Sequence, residues 1–156
     1  MVAIGQAAAG VLLALAVGAA ILVPTAPCLP EASTPSVLRA GLYGAARLVC
    51  HRRPDRSLEA CGRQWLVCGR CAGLYFGAGL MALGAAIGWR PRLRRSGRAA
   101  WWRVVLVGSA LPTLGLWVLE LARVAAPTTP QRLASAVPLG LAVGAWLTAV
   151  ARGDLR

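Results

Sequence analysis

Chemistry in this chain gathers in one polar stretch, where Cys50 and His51 are adjacent and Cys68-x-x-Cys71 follows. Two thiolates at C-x-x-C spacing can grip one Zn²⁺ or close a redox disulfide, and a Cys-His pair nearby completes four-fold coordination. The expected ligand set is Cys50, His51, Cys68 and Cys71, with Cys61 able to replace either member of the first pair. Adjacent residues chelate less readily than residues two apart, so Cys50 with His51 is the weaker half of that set. Arg52, Arg53, Arg63 and Arg70 surround the motif, and cations of that kind stabilise thiolates for metal binding and for redox chemistry alike. Cys68 near a helix N-terminus is the natural nucleophile if the pair is redox-active. Five cysteines is an odd number, so at least one is free or pairs between chains. The plainest alternative is that disulfides merely staple the loop.

The elements that must position these groups are set by composition. The chain of 156 residues is 58% hydrophobic and 14% charged, and its charges fall in blocks between long apolar runs. A spanning helix needs about 20 apolar residues to cross roughly 30 Å of hydrocarbon. Segments 2–23, 67–89, 104–122 and 133–151 approach that, the second being short in its uncharged part from Ala72 to Trp89. The expected fold is all-α, a single polytopic membrane domain of four transmembrane helices plus a short interfacial amphipathic helix. That helix is predicted over 35–49. Thr34-Pro35 has the character of an N-cap with proline at the first helical position. Ser36, Arg39, Tyr43 and Arg47 share one face, opposite Leu38, Leu42, Ala45 and Val49. Residues 50–66 form the Cys/His loop. A helix starting near Val67 aligns Cys68, Cys71 and Tyr75 on one face. Gly73-x-x-x-Gly77 and Gly84-x-x-x-Gly88 give the second span small-residue faces for a packing partner, within the chain or in a homo-oligomer. Glu120 is the one acid in an apolar segment, which makes it a candidate for function or for an ion pair at the segment's end.

The formal net charge is +12 and every basic residue is arginine. In a soluble chain that would suggest nucleic acid; at the ends of apolar segments it indicates anionic lipid headgroups, and nucleic acid is not expected. The densest block lies in 90–103, which the positive-inside rule places in the cytoplasm with both termini, leaving the Cys/His loop extracytoplasmic. The first segment has no positive n-region and an apolar run too long for a signal peptide, so a retained helix is expected. No phosphate loop, serine-triad signature or acidic pair is present, and no catalytic residue is assigned.

The runs Cys50-His51-Arg52-Arg53-Pro54-Asp55-Arg56-Ser57 and Val67-Cys68-Gly69-Arg70-Cys71-Ala72-Gly73-Leu74-Tyr75-Phe76-Gly77 resemble the domain-of-unknown-function family numbered 2085, small membrane proteins of prokaryotes. The resemblance covers roughly Val37 to Gly144. It implies a multi-pass protein of the prokaryotic inner membrane and adds Arg56, Ser57, Arg70 and Tyr75 as supporting residues; Cys28 and Cys61 lie outside the pattern. The later part departs from the family. Where an Asp is usual in the third span this chain has Leu116; if that Asp matters for activity, either Glu120 substitutes or the function has drifted. Thr129-Pro130-Gln131-Arg132 replaces an Asn-containing turn before the Arg that opens the fourth span. The family resemblance implies no reaction. The function expected is therefore a membrane protein with a Cys/His site binding zinc. The alternatives are a membrane thiol–disulfide oxidoreductase using Cys68 and Cys71, and a structural or assembly subunit.

Overall fold

A computed structural model describes residues 2–30, 34–51, 53–89 and 98–153 of the chain. The expected stabilising role of Arg52, and the arginines at 90, 92, 94 and 95 of the basic segment, lie outside the described residues. The helices are α1 (Val2–Thr25), α2 (Ser36–Val49), α3 (Gly69–Ala86), α4 (Arg98–Leu121) and α5 (Thr129–Arg152). Among the described residues, three helices are long and apolar enough to cross a membrane: Ala3–Cys28, Trp101–Leu121 and Thr129–Arg152. The remaining long one, α3, has 18 residues, about 27 Å of helix at 1.5 Å per residue. It stops at Ala86, short of the expected Trp89, because Gly88 turns the backbone left-handed at φ +87°, a usual way to end a helix.

Glycines set the packing. A Cβ on Gly73 would run into the carbonyl oxygen of Leu133, one on Gly77 would lie 2.5 Å from that of Val137, and one on Gly144 would lie 2.8 Å from the Met81 Cβ. Contacts that advance in the same direction along both helices mean that α3 and α5 run parallel with their backbones touching, as small-residue faces permit. The Gly73/Gly77 face thus packs within the chain. The second glycine pair does not, since Gly84 meets only Trp89 and Gly88 is the turn residue. On the other side of α3, Gly79 faces Ala16 and Ala20 of α1. α4 lies antiparallel to α5, tied by the Thr113 hydroxyl donating to the Ser135 carbonyl at 2.7 Å. Replacing Gly77 by valine is expected to force α3 off α5 and to cost about 1–3 kcal/mol as overpacking, read as a lower midpoint of thermal unfolding in detergent.

α5 begins four residues before the expected 133 because Thr128 and Gln131 form a capping box, the Gln131 side chain accepting from the Thr128 amide at 2.8 Å. Arg132 is thereby placed in the first turn of α5, where it is 8% exposed. The C-terminal ends of α1 and α4 and the N-terminal ends of α3 and α5 all meet at one end of the bundle. At that end lie α2, two 3₁₀ turns (Ala26–Cys28 and Pro54–Arg56) and a two-stranded ribbon, β1 (Glu59–Ala60) with β2 (Arg63–Gln64).

The ribbon corrects the purely helical expectation. Its two-residue turn, Cys61-Gly62, holds positive φ at both positions, 53° and 71°, as hairpin geometry requires. Cys61 is bonded to Cys28 across 33 residues, fastening the hairpin to the end of α1. Cys61 therefore has no thiol to offer a metal.

Two residues of the polar face of α2 turn inward, while Ser36 and Arg47 are exposed. Arg39 donates to the Leu29 carbonyl at 3.2 Å and Tyr43 to that of Gln64 at 3.1 Å. Val37, Leu38, Leu48 and Val49 are exposed.

Candidate functional site

Three separate local decisions bring the sulfurs together. Cys50 is the C-cap of α2 and is 6% exposed, its amide donating to the Ala46 carbonyl at 3.0 Å. Cys68 is the N-cap of α3, outside the helix, and Cys71 sits in the first helical turn. The Cys68 amide donates to Cys50 Sγ at 3.3 Å, which locks the end of α2 to the start of α3. The three sulfurs lie within 4.8 Å of one another, and all three cysteines are free.

Cys68 is the acidic thiol of the group, its pKa pulled down to about 5. The largest cause is the Cys71 thiol donating to it; burial opposes this, and the backbone amides of Cys71 and Arg70 and the Cys50 thiol add to the lowering. Amides at the start of a helix stabilise anions in this way. In metal-free protein, alkylation of Cys68 by iodoacetamide should therefore fall away only as pH drops through about 5. It should already be on its plateau at neutral pH, whereas an ordinary thiol keeps accelerating to roughly pH 8.5. Rates measured by mass spectrometry of each cysteine check this.

His51 is exposed and lies outside the sulfur triangle, although it lines the same cavity of about 190 Å³. Cys50 has extended backbone, φ −148° and ψ 134°, and successive side chains on extended backbone point to opposite sides. Cys50 thus turns in while its neighbour turns out.

Behind the sulfurs is an ion cluster that joins four parts of the fold. Glu120 Oε1 accepts from Arg56 Nη2 at 2.9 Å and from Arg132 Nη2 at 3.0 Å, and Oε2 accepts from Arg70 Nη2 at 2.7 Å. Arg132 Nη1 also reaches the Asp55 carbonyl at 3.2 Å. Arg56 and Arg70, the supporting arginines expected from sequence, are thus both engaged with one carboxylate at the end of α4. Arg53 pairs with Asp55 at 3.3 Å. Ser57 closes the 3₁₀ turn by donating to the Arg53 carbonyl at 3.1 Å, and Tyr75 packs against the apolar cluster that contains Cys50, Val67 and Ala72. Arg132 escaped sequence reasoning as a member of the site. A signal for it was the Thr128-x-x-Gln131 cap, which draws it into the helix and under the loop.

The family model described as a predicted membrane protein, DUF2085, matches residues 50–146, so the match opens on Cys50 and takes in the sulfurs and the ion cluster. An uncharacterized protein of Methanothermobacter thermautotrophicus strain Delta H is 47% identical over 32 residues, which is 20% of this chain and 29% of that relative. The chain therefore spans under a third of the length of the curated relative it matches. No solved structure matches.

Proposed function

Since the chain belongs to the DUF2085 family of predicted membrane proteins, we propose that it is a multi-pass protein of the prokaryotic inner membrane whose Cys50, Cys68 and Cys71 hold a metal ion, zinc, with His51 as fourth ligand. The observation that carries this is the triangle of free sulfurs within 4.8 Å. A tetrahedral zinc with bonds near 2.3 Å needs sulfurs about 3.8 Å apart, so side-chain rotation within the cavity suffices. His51 lines the same cavity, and a change of the Cys50–His51 backbone away from its extended form would turn its imidazole toward the fourth position. Soft thiolate donors select zinc, copper(I) or iron–sulfur clusters over hard cations.

In this reading all four long helices cross the bilayer, α3 being shielded from lipid by α1 and α5, and α2 lies in the interface. The exposed apolar side chains of α2, with Arg39 and Tyr43 held against the protein, support that placement. The Cys28–Cys61 bond supports an extracytoplasmic site, because disulfides persist in oxidising compartments. Three of the arginines at the same end, Arg56, Arg70 and Arg132, are bound to Glu120, which lowers their weight as cytoplasmic anchors.

Elemental analysis of the purified full chain should give one zinc per chain, and His51→Ala should weaken retention without abolishing it. Metal-free protein with intact free thiols sinks the reading. A second reading rests on the acidic Cys68: a dithiol that attacks a partner disulfide through Cys68 and is resolved by Cys71, leaving the partner reduced and the pair oxidised. Trapping of a mixed disulfide by Cys71→Ala would favour it.

A further inference from the structure

The metal reading uses the sulfur corner of the cavity and leaves its arginine wall without a task. Arg53, Arg56, Arg70 and Arg132 all line the same space of about 190 Å³, equivalent to about six waters at roughly 30 Å³ each. The acidic groups at this wall among the described residues are Glu120 and Asp55, both already engaged with these arginines. Four guanidiniums against two carboxylates leave a positive charge, and three thiolates carrying one divalent ion would remove only one unit of it. The side chains of Arg70 and Arg132 are only 18% and 10% exposed, and positive charge held that way is unfavourable unless an anion or water accompanies it. The donor inventory agrees. The Nε–H groups of Arg70 and Arg132 are buried without a hydrogen-bond partner, although Arg70 uses its Nη2 and Arg132 both Nη groups. The N-terminal ends of α3 and α5 begin side by side here, a Cβ on Gly69 falling 2.8 Å from the Thr129 carbonyl oxygen. The positive ends of two helix dipoles therefore add to the field.

We propose that this wall binds one phosphate-type oxyanion beside the thiols, either free or as the headgroup of an acidic phospholipid. Guanidinium forks match the paired oxygens of such a group, and a single ammonium does not. The cavity's place at one end of the bundle puts it within reach of both sources. The site uses the arginines alone, so it stands whether or not the sulfurs carry a metal.

The test is equilibrium dialysis of the full chain in detergent against radiolabelled inorganic phosphate, with metal-loaded and with chelator-stripped protein. Saturable binding of one phosphate per chain is expected in both. Arg70→Gln should weaken it at least tenfold, and Arg70→Lys should recover only part, keeping the charge and losing the fork. Because Arg70 also holds Glu120, Arg53→Gln is the companion variant: Arg53 lies outside that cluster and its loss should weaken binding severalfold in protein that folds normally. Nanodiscs of phosphatidylcholine with or without phosphatidic acid assign the source. Competition by the acidic lipid identifies a headgroup, and undiminished phosphate binding identifies the free ion. Absence of saturable binding in detergent together with no retention of phosphatidic acid overturns the proposal, as does wild-type affinity in both Arg53→Gln and Arg70→Gln. Protein that is already metal-free as purified, with its thiols intact, and still binds phosphate would remove the zinc reading and leave this one intact.

Discussion

Glu120→Gln should destabilise the protein more than any other single change of similar size. The substitution keeps the shape of the side chain and removes the charge that Arg56, Arg70 and Arg132 share. Breaking a fully buried ion pair on one side costs about 3–5 kcal/mol, because the remaining charge is left without a partner. This cluster is half-buried, with Glu120 16% exposed, so about 2–3 kcal/mol is expected. Here three cations lose the same anion, and the cluster joins α3, α4, α5 and the Pro54–Arg56 turn. The midpoint of thermal unfolding in detergent should fall by about 5 °C or more. Glu120→Asp, which retains the charge on a shorter stem, should recover part of the loss. Adding Arg132→Gln to Glu120→Gln should cost less than the sum of the two single changes, since both act on one cluster. An unfolding midpoint for Glu120→Gln within a degree or two of wild type would mean that the cluster contributes nothing.

The second large effect concerns metal retention. Each of Cys50→Ser, Cys68→Ser and Cys71→Ser should lower zinc affinity on the order of 100-fold or more, since a structural zinc draws about 10–16 kcal/mol from its whole ligand set. Competition with a chromophoric chelator measures this directly. The three variants should be close to one another, because the sulfurs form one triangle. Cys50→Ser should also weaken the join between α2 and α3, where Cys50 Sγ accepts the Cys68 amide. Cys28→Ser with Cys61→Ser should leave the metal in place, as neither belongs to the triangle. A stoichiometric metal that survives loss of Cys68 or Cys71 would place it elsewhere in the molecule.

Sequence reasoning reached some of this site and missed the rest for identifiable reasons. Cys68 and Cys71 were legible because a helix N-terminus fixes the relation of two residues three apart. Cys50 was legible as the residue ending an amphipathic helix. His51 was harder to place, because whether a neighbour joins a ligand or opposes it depends on a single pair of backbone angles, and Cys50 adopts the extended pair. The glycine faces of α3 pointed to close packing, but spacing alone could not tell Gly77, which meets Val137, from Gly88, which ends the helix. Glu120 stood out as an acid in an apolar run. Its partners did not, because Arg56 and Arg70 lie far away in sequence and only the meeting of helix ends brings them together. The hairpin was hidden because Cys61-Gly62 supplies only one glycine for a turn that needs two left-handed residues; the bond to Cys28 helps fasten the other in place.

The ion cluster also carries an order of events. Ribosomes deliver a chain from its N-terminus, so Arg56 and Arg70 exist before Glu120 does, and Arg132 comes last. Until α5 emerges, the glycine groove of α3 has no cover and the carboxylate at the end of α4 holds two of its three cations. Arrival of the final segment closes groove and cluster in one step. A nascent chain truncated ahead of Thr128 would therefore carry every sulfur and lack the keystone that seats them.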